Sequence, residues 1–285
     1  MKFFQSVSQT PLSQVMELAR LIEEAGFEGI TMSDHLVRPR VVRSRYPYAA
    51  SGEMAAGTAT PYPDCWVLAG ALAQVTRQLR FMTAVYVLPM RDPFSAAKAI
   101  STAAALSNGR VMLGVGVGWM EEEFELTGQP FAGRGPRTEE MLEVLRKLCS
   151  GEMEEHHGAF YDFGPLQMQP VPEACPPVLI GGHSPAALRR AARSDGWIGV
   201  NYELPEALEV LEALARARKE AGTGDRPFDA AIALNREPTR DDCRRLEDAG
   251  ATILFNPPLG LPEPLGTGLE SKRVEIAGFA ERLIE

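Results

Sequence analysis

One unit repeats along the chain: a short run rich in β-branched and aromatic residues, a capping residue followed by proline, apolar residues at helical spacing, and a glycine. Short apolar runs bounded by turn residues predict strands, and apolar positions three and four apart predict helices. In the first unit FFQSVS predicts a strand, and Thr10 and Pro11 predict a helix cap and the first helical position. Leu12, Val15, Met16, Ala19 and Ile22 then fall on one helical face, and Gly26 ends it. Asp92-Pro93 and Ser184-Pro185 open later helices in the same way, because the fixed φ of proline is helical and its missing N–H would be unpaired there.

Followed to the end, the pattern predicts strands near 3–8, 28–33, 79–85, 110–117, 177–181, 196–200, 229–234 and 251–255. Helices are predicted near 11–25, 64–77, 93–107, 136–150, 185–194, 205–221, 239–249 and 270–284. Strands that each precede a helix, with nothing left over, predict an α/β fold of the (β/α)8 TIM-barrel type rather than an open doubly wound sheet. With 285 residues the chain has the size of one such barrel, so residues 1–285 are read as a single domain. Two long insertions interrupt the rhythm, 36–63 after strand 2 and 151–176 before strand 5, and both are expected to act as specificity loops.

Composition narrows the function. Hydrophobic content of 45% and charged content of 24% suit a globular core. The N-terminus MKFFQSVSQT lacks the apolar stretch of a signal peptide, and no long uncharged apolar run follows. Four cysteines without a CxxC pair fit a reducing compartment, so a cytoplasmic protein with no membrane partner is expected. A net charge of -9 argues against nucleic acid as a partner. Arg38, Arg40, Arg43 and Arg45 form a local exception, read either as a solvated loop or as an anion-facing lid.

Ser33-Asp34-His35 lies at the C-terminal end of the second strand, where barrel active sites form. An imidazole there can move protons near neutral pH and an adjacent carboxylate can orient it; a capping Asp beside a packed His accounts for the same residues. The third strand, Leu79 to Val85, ends in small apolar side chains that suit either a flat ring or ordinary barrel packing. In the strand Arg110 to Trp119, glycines at 114, 116 and 118 clear one face for something large to approach the backbone. Gly181, Gly182, His183 and Ser184 connect a strand to a helix start, an arrangement that suits a phosphate, although a plain tight turn has the same sequence. No closely spaced metal ligands stand on the first strand, and none of the five lysines is placed for Schiff-base chemistry, so no metal is expected.

The segments GFEGITMSDHLVRPR, PFSAAKAISTAAALSNGRVMLGVGVGWMEEEFELTG, GRGPRTEEMLEVLRKL and PPVLIGGHSPAALRRAARSDGWI together resemble the luciferase-like monooxygenase superfamily, and SDHLVRPR followed by RYPY resembles its deazaflavin (coenzyme F-420)-dependent oxidoreductases. The resemblance implies hydride transfer between reduced deazaflavin and a small organic substrate. Its alternatives are an FMN-dependent monooxygenase that uses oxygen and a catalytically silent cofactor-binding barrel. It also implies a homodimer. Carried over, it places a non-prolyl cis peptide under the cofactor ring at Ala84-Val85, the cofactor's border at Gly116, Val117 and Gly118, and its phosphate at Gly181, Gly182 and Ser184. His35 and Asp34 fall near the reactive face. Glu123, Arg137 and Glu140 match recurring charged positions, as catalytic groups or as a structural network. Trp119 and Pro39 depart from the sugar-phosphate dehydrogenase pattern, which disfavours a glucose 6-phosphate substrate.

Overall fold

The computed structural model describes residues 1–285 except 50, 55, 56, 58, 261–265 and 285. The first half runs β1 (Lys2–Ser6), α1 (Leu12–Glu24), β2 (Gly29–Met32), α2 (Cys65–Ala73), β3 (Arg80–Thr83), β4 (Tyr86–Val87), α3 (Pro93–Leu106) and β5 (Val111–Gly116). Next come α4 (Glu121–Thr127), α5 (Arg134–Ser150), β6 (Glu154–His157), β7 (Asp162–Leu166), β8 (Val178–Gly181) and α6 (Pro185–Ala191). The chain ends with β9 (Gly196–Tyr202), α7 (Leu204–Glu220), β10 (Asp229–Leu234), α8 (Arg240–Asp248), β11 (Ile253–Asn256) and α9 (Leu269–Leu283).

Strands β3, β2, β1, β11, β10, β9, β8 and β5 pair in parallel in that order, and β3 pairs with β5 to close the ring. This is the expected (β/α)8 barrel. Phe4, Met82, Met112, Leu179, Ile198, Ala231 and Ile253, from seven of the strands, form the compact interior cluster, and the helices pack a larger apolar shell outside. Asp92 caps α3 by accepting from the Phe94 and Ser95 amides, and Ser184 caps α6, as the Asp-Pro and Ser-Pro pairs predict. The first helix differs. Pro11 itself takes the cap position, and the buried Thr10 hydroxyl bonds nothing among the described residues. Among those residues no helix is long and apolar enough to cross a membrane.

The second insertion lies elsewhere than expected. It connects α5 to the start of β8, forms the antiparallel hairpin β6–β7, and clamps the outer flank of α5 and α3 instead of rimming the barrel mouth. Glu140 anchors it, accepting from the amides of Ala159 at 3.0 Å, Phe160 at 3.0 Å and Tyr161 at 2.7 Å, with His156 at 3.3 Å. Burial pushes this carboxyl up, but these donors outweigh burial and hold it below the ordinary glutamate range. A lowered folded value contributes stability that is complete above the ordinary range and lost as pH falls through the lowered one. Pepsin is therefore expected to cut 158–161 faster on acidification below about pH 4, and Glu140→Gln to open the same segment to proteases at neutral pH.

Candidate active site

The floor of the barrel mouth is built where β3 is interrupted. Ala84-Val85 is a cis peptide, and β4 resumes the pairing with β5 just beyond it. The Thr83 hydroxyl donates to the Gly114 carbonyl at 2.8 Å and accepts from the Gly114 amide at 2.9 Å. Val85 then projects between two glycines, because a Cβ on Gly116 would stand 2.4 Å from its Cγ2 and one on Gly181 2.6 Å from its Cγ1. Ala84, Val85 and Val200 lie on the interior cluster as a small apolar platform. The glycine strand thus admits the protein's own atoms: Gly114 the Thr83 carbonyl, Gly116 the Val85 side chain, and Gly118 the rings and methyls of Phe124 and Val87. The space that Gly116 and Gly118 clear is thus occupied by side chains of the chain itself, and Val85 forms the surface beside Gly116. Gly116→Ala should displace Val85 by overpacking, at a cost of about 1–3 kcal/mol. Adding Val85→Ala should recover most of that loss, read as Tm by calorimetry.

Above the platform the expected pair comes apart. Asp34 is buried and turns away from His35; its Oδ1 accepts from Arg91 Nη2 at 2.7 Å, and its Oδ2 from Arg91 Nη1 and the Val87 amide at 2.8 Å each. The Arg91 guanidinium lies 4.1 Å over the Tyr86 ring. Asp34 therefore ties the end of β2 to β4, and its geometry is that of a brace. Asp34→Asn leaves a half-buried guanidinium without its charge partner, so a stability loss of about 3–5 kcal/mol is expected. Calorimetry should record a fall in Tm of roughly 10 °C.

His35 has a different partner. Its Nδ1 lies 2.8 Å from Glu123 Oε2, on α4, and Glu123 Oε1 accepts from the Leu36 amide at 2.8 Å. Both side chains are largely buried, at 8% and 2% exposure, so the contact is shielded from water. An ionised carboxylate only accepts, which places a proton on Nδ1 and leaves Nε2, without a partner among the described residues, for proton exchange. Of the other charged positions, Arg137 donates to the Pro89 and Pro130 carbonyls and Glu140 holds the hairpin, so both are structural.

From His35 a chain of ring contacts crosses the mouth. Tyr62 packs edge-on against His35 at 4.9 Å between centroids, Trp119 lies 6.0 Å from the same ring, and Tyr46, Tyr48 and His183 continue from Trp119 at 5.1, 5.5 and 5.6 Å. Burial pushes the Tyr62 phenol up to about 12 and raises Tyr46 and Tyr48 as well, so the wall presents neutral hydroxyls. Asn201, in the left-handed region at the end of β9, donates to the Tyr48 carbonyl and holds the far part of this wall.

The wall ends at the turn after β8, where several polar groups are already engaged. The Gly182 amide donates to the Ile198 carbonyl, Trp197 Nε1 donates to the Gly182 carbonyl, and Ser184 Oγ accepts from the Ala187 amide. His183 and Ser184 are exposed, and their amides make no hydrogen bond among the described residues, so this turn keeps donors that an anion could reach. The arginine cluster divides too. Arg43 pairs with Glu125 at 2.8 and 2.9 Å and belongs to the contact between the first insertion and α4. Residues 50, 55, 56 and 58 of that insertion lie outside the described residues.

The profile of the luciferase-like monooxygenase family matches residues 2–257 of this chain. The chain belongs to this family. An uncharacterized protein of Mycobacterium tuberculosis (strain ATCC 25618 / H37Rv) is 37% identical over 289 residues, covering 100% of this chain and 99% of the relative. An F-420-dependent glucose-6-phosphate dehydrogenase 2 of Rhodococcus jostii (strain RHA1) is 29% identical over 245 residues, covering 82% of this chain and 68% of the relative. Among solved structures, a monooxygenase from Streptomyces bottropensis superposes with a TM-score of 0.77 at 19% identity, covering 100% of this chain and 99% of that one, which is a likeness of fold. Luciferase-like proteins are flavin- or deazaflavin-dependent oxidoreductases or monooxygenases, and this one is an enzyme of that class.

Proposed function

We propose that this luciferase-like enzyme transfers a hydride between a deazaflavin and a small organic substrate, with His35 as the acid/base. The observation that carries the reading is the buried His35–Glu123 contact at the end of β2. The small apolar floor fits a flat tricyclic ring, since any Cβ on Gly116 or Gly181 would push Val85 into its place. The bound deazaflavin supplies the hydride-carrying carbon. Ala84 and Val85 would support the ring, the turn Gly182, His183 and Ser184 would hold the phosphate, and Tyr62 and Trp119 would exclude water beside His35. A carbonyl that accepts hydride needs a proton on oxygen, and the reverse reaction removes one. Nε2 of His35 performs both exchanges, while Glu123 holds Nδ1–H and stabilises the ring when it is cationic.

The enzyme works in the cytoplasm as a homodimer. Val67 on α2 and Leu106 on α3, which pack side by side, are 74% and 56% exposed and offer a face for a second copy. The chemistry is tested by oxygen consumption with reduced cofactor and an acceptor panel. Acceptor-dependent, oxygen-independent oxidation of reduced deazaflavin supports the reading. Oxygen uptake with reduced FMN favours a monooxygenase instead, and tight binding without turnover a silent barrel.

A further inference from the structure

Four guanidiniums near the mouth differ in how they are satisfied. Arg91 is bidentate on Asp34, Arg43 reaches both oxygens of Glu125 through Nη2, and Arg137 donates to two backbone carbonyls. Arg38 is half-buried, yet among the described residues its one hydrogen-bond acceptor is the Met54 thioether at 2.8 Å. A thioether is a weak acceptor, and a guanidinium carries five N–H donors in a fork shaped for a carboxylate. The remaining N–H groups of Arg38 are not sealed from solvent and carry no partner among the described residues, so they are open to an anion.

The position of Arg38 identifies the anion's source. Arg38 follows His35 in the same loop after the end of β2, its charge opposes the effect of burial on the Tyr62 phenol, and Tyr62 packs on His35. Arg38 thus belongs to the His35 end of the aromatic wall, whereas the turn suited to the cofactor's phosphate lies at the His183 end, beyond Trp119, Tyr46 and Tyr48. Within the hydride-transfer reading, on which this rests, we infer that the substrate is a ring-bearing or unsaturated organic acid whose carboxylate is held by Arg38 while Tyr62 and Trp119 flank its carbon skeleton. Arg38 is then a specificity-determining residue. It anchors one end of the substrate and leaves the reacting carbon and oxygen to the platform and His35 Nε2.

The test is binding of benzoate against its neutral isostere benzamide, read from Trp119 emission, since Trp66 and Trp197 are buried at 3% and 0% exposure. Titrations are run on the protein alone and saturated with deazaflavin or FMN. Wild type should bind benzoate at least about tenfold more tightly than benzamide, the effect of a charge-assisted bidentate contact. Arg38→Gln should erase that preference, and Arg38→Lys should keep part of it, with Tm and cofactor affinity unchanged in both. The inference is overturned if wild type shows no preference or if Arg38→Gln keeps it. It is equally overturned if Arg38→Gln weakens cofactor and benzoate binding by the same factor, since Arg38 would then hold the cofactor's anionic tail. Failure to bind either cofactor would sink the hydride-transfer reading, while the benzoate preference would still report on Arg38 alone.

Discussion

Gly114→Ala is expected to abolish the folded enzyme or to lower its Tm by 10 °C or more, an effect of about 3 kcal/mol or above. The added Cβ would stand 1.8 Å from the Thr83 carbonyl oxygen and 2.5 Å from Ile198 Cδ1. A carbonyl inside a parallel ladder cannot swing aside as a flexible side chain would. The collision also falls where β3 meets β5, the pairing that closes the barrel, and beside the two Thr83 hydroxyl bonds to Gly114. Gly70→Ala is the contrasting control: the nearest atom to its Cβ is Leu106 Cδ1 at 3.8 Å, and the residue lies inside α2. Alanine there should be neutral or stabilising by up to about 1 kcal/mol. Equal Tm changes in the two variants would contradict the account of the floor.

Loss of the imidazole should have the largest effect on turnover. His35→Asn is expected to lower kcat about 10²–10⁴-fold, the usual contribution of a positioned acid/base, with cofactor affinity unchanged. Glu123→Ala should lower kcat about tenfold to a hundredfold, matching about 1.5–3 kcal/mol for a hydrogen bond to a charged group. Because Glu123 reaches the reaction through His35, although it also holds the Leu36 amide, the double variant should be little slower than His35→Asn alone. Stopped-flow oxidation of reduced deazaflavin, with an acceptor that supports wild-type turnover, measures all three. Additive losses would place Glu123 in a separate role. Asp34→Asn, by contrast, should act on stability first, because its carboxylate is bound to Arg91 and not to the imidazole.

What was legible in the sequence was local. Each barrel strand and each of the helices between them announces itself through apolar spacing and a Pro or Gly at the boundary, so the eight-unit count agrees with the folded chain. The short helix α4 was not legible, because Glu121–Thr127 opens with three glutamates and is too brief for a helical period. The β6–β7 hairpin escaped because its exposed strands lack a clean alternation. Pairings across the site were beyond reach for another reason. His35 meets a carboxylate 88 residues away and Asp34 an arginine 57 residues away, while the adjacent Asp34-His35 pair invited a contact that the strand end directs apart. The glycines of β5 were recognised as cleared space, but only the folded barrel reveals that Thr83 and Val85 fill it. Tyr46, Tyr48 and Tyr62 carried one usable signal: aromatic residues in an insertion that follows a strand at the mouth.

The most direct measurement is a pair of fluorescence titrations of the purified enzyme, one with coenzyme F-420 and one with FMN, each repeated with Gly116→Ala. The account predicts saturable binding of the deazaflavin, tighter than that of FMN, and weakened when the alanine displaces Val85. Binding of FMN alone, binding of neither, or deazaflavin affinity indifferent to Gly116→Ala would contradict it.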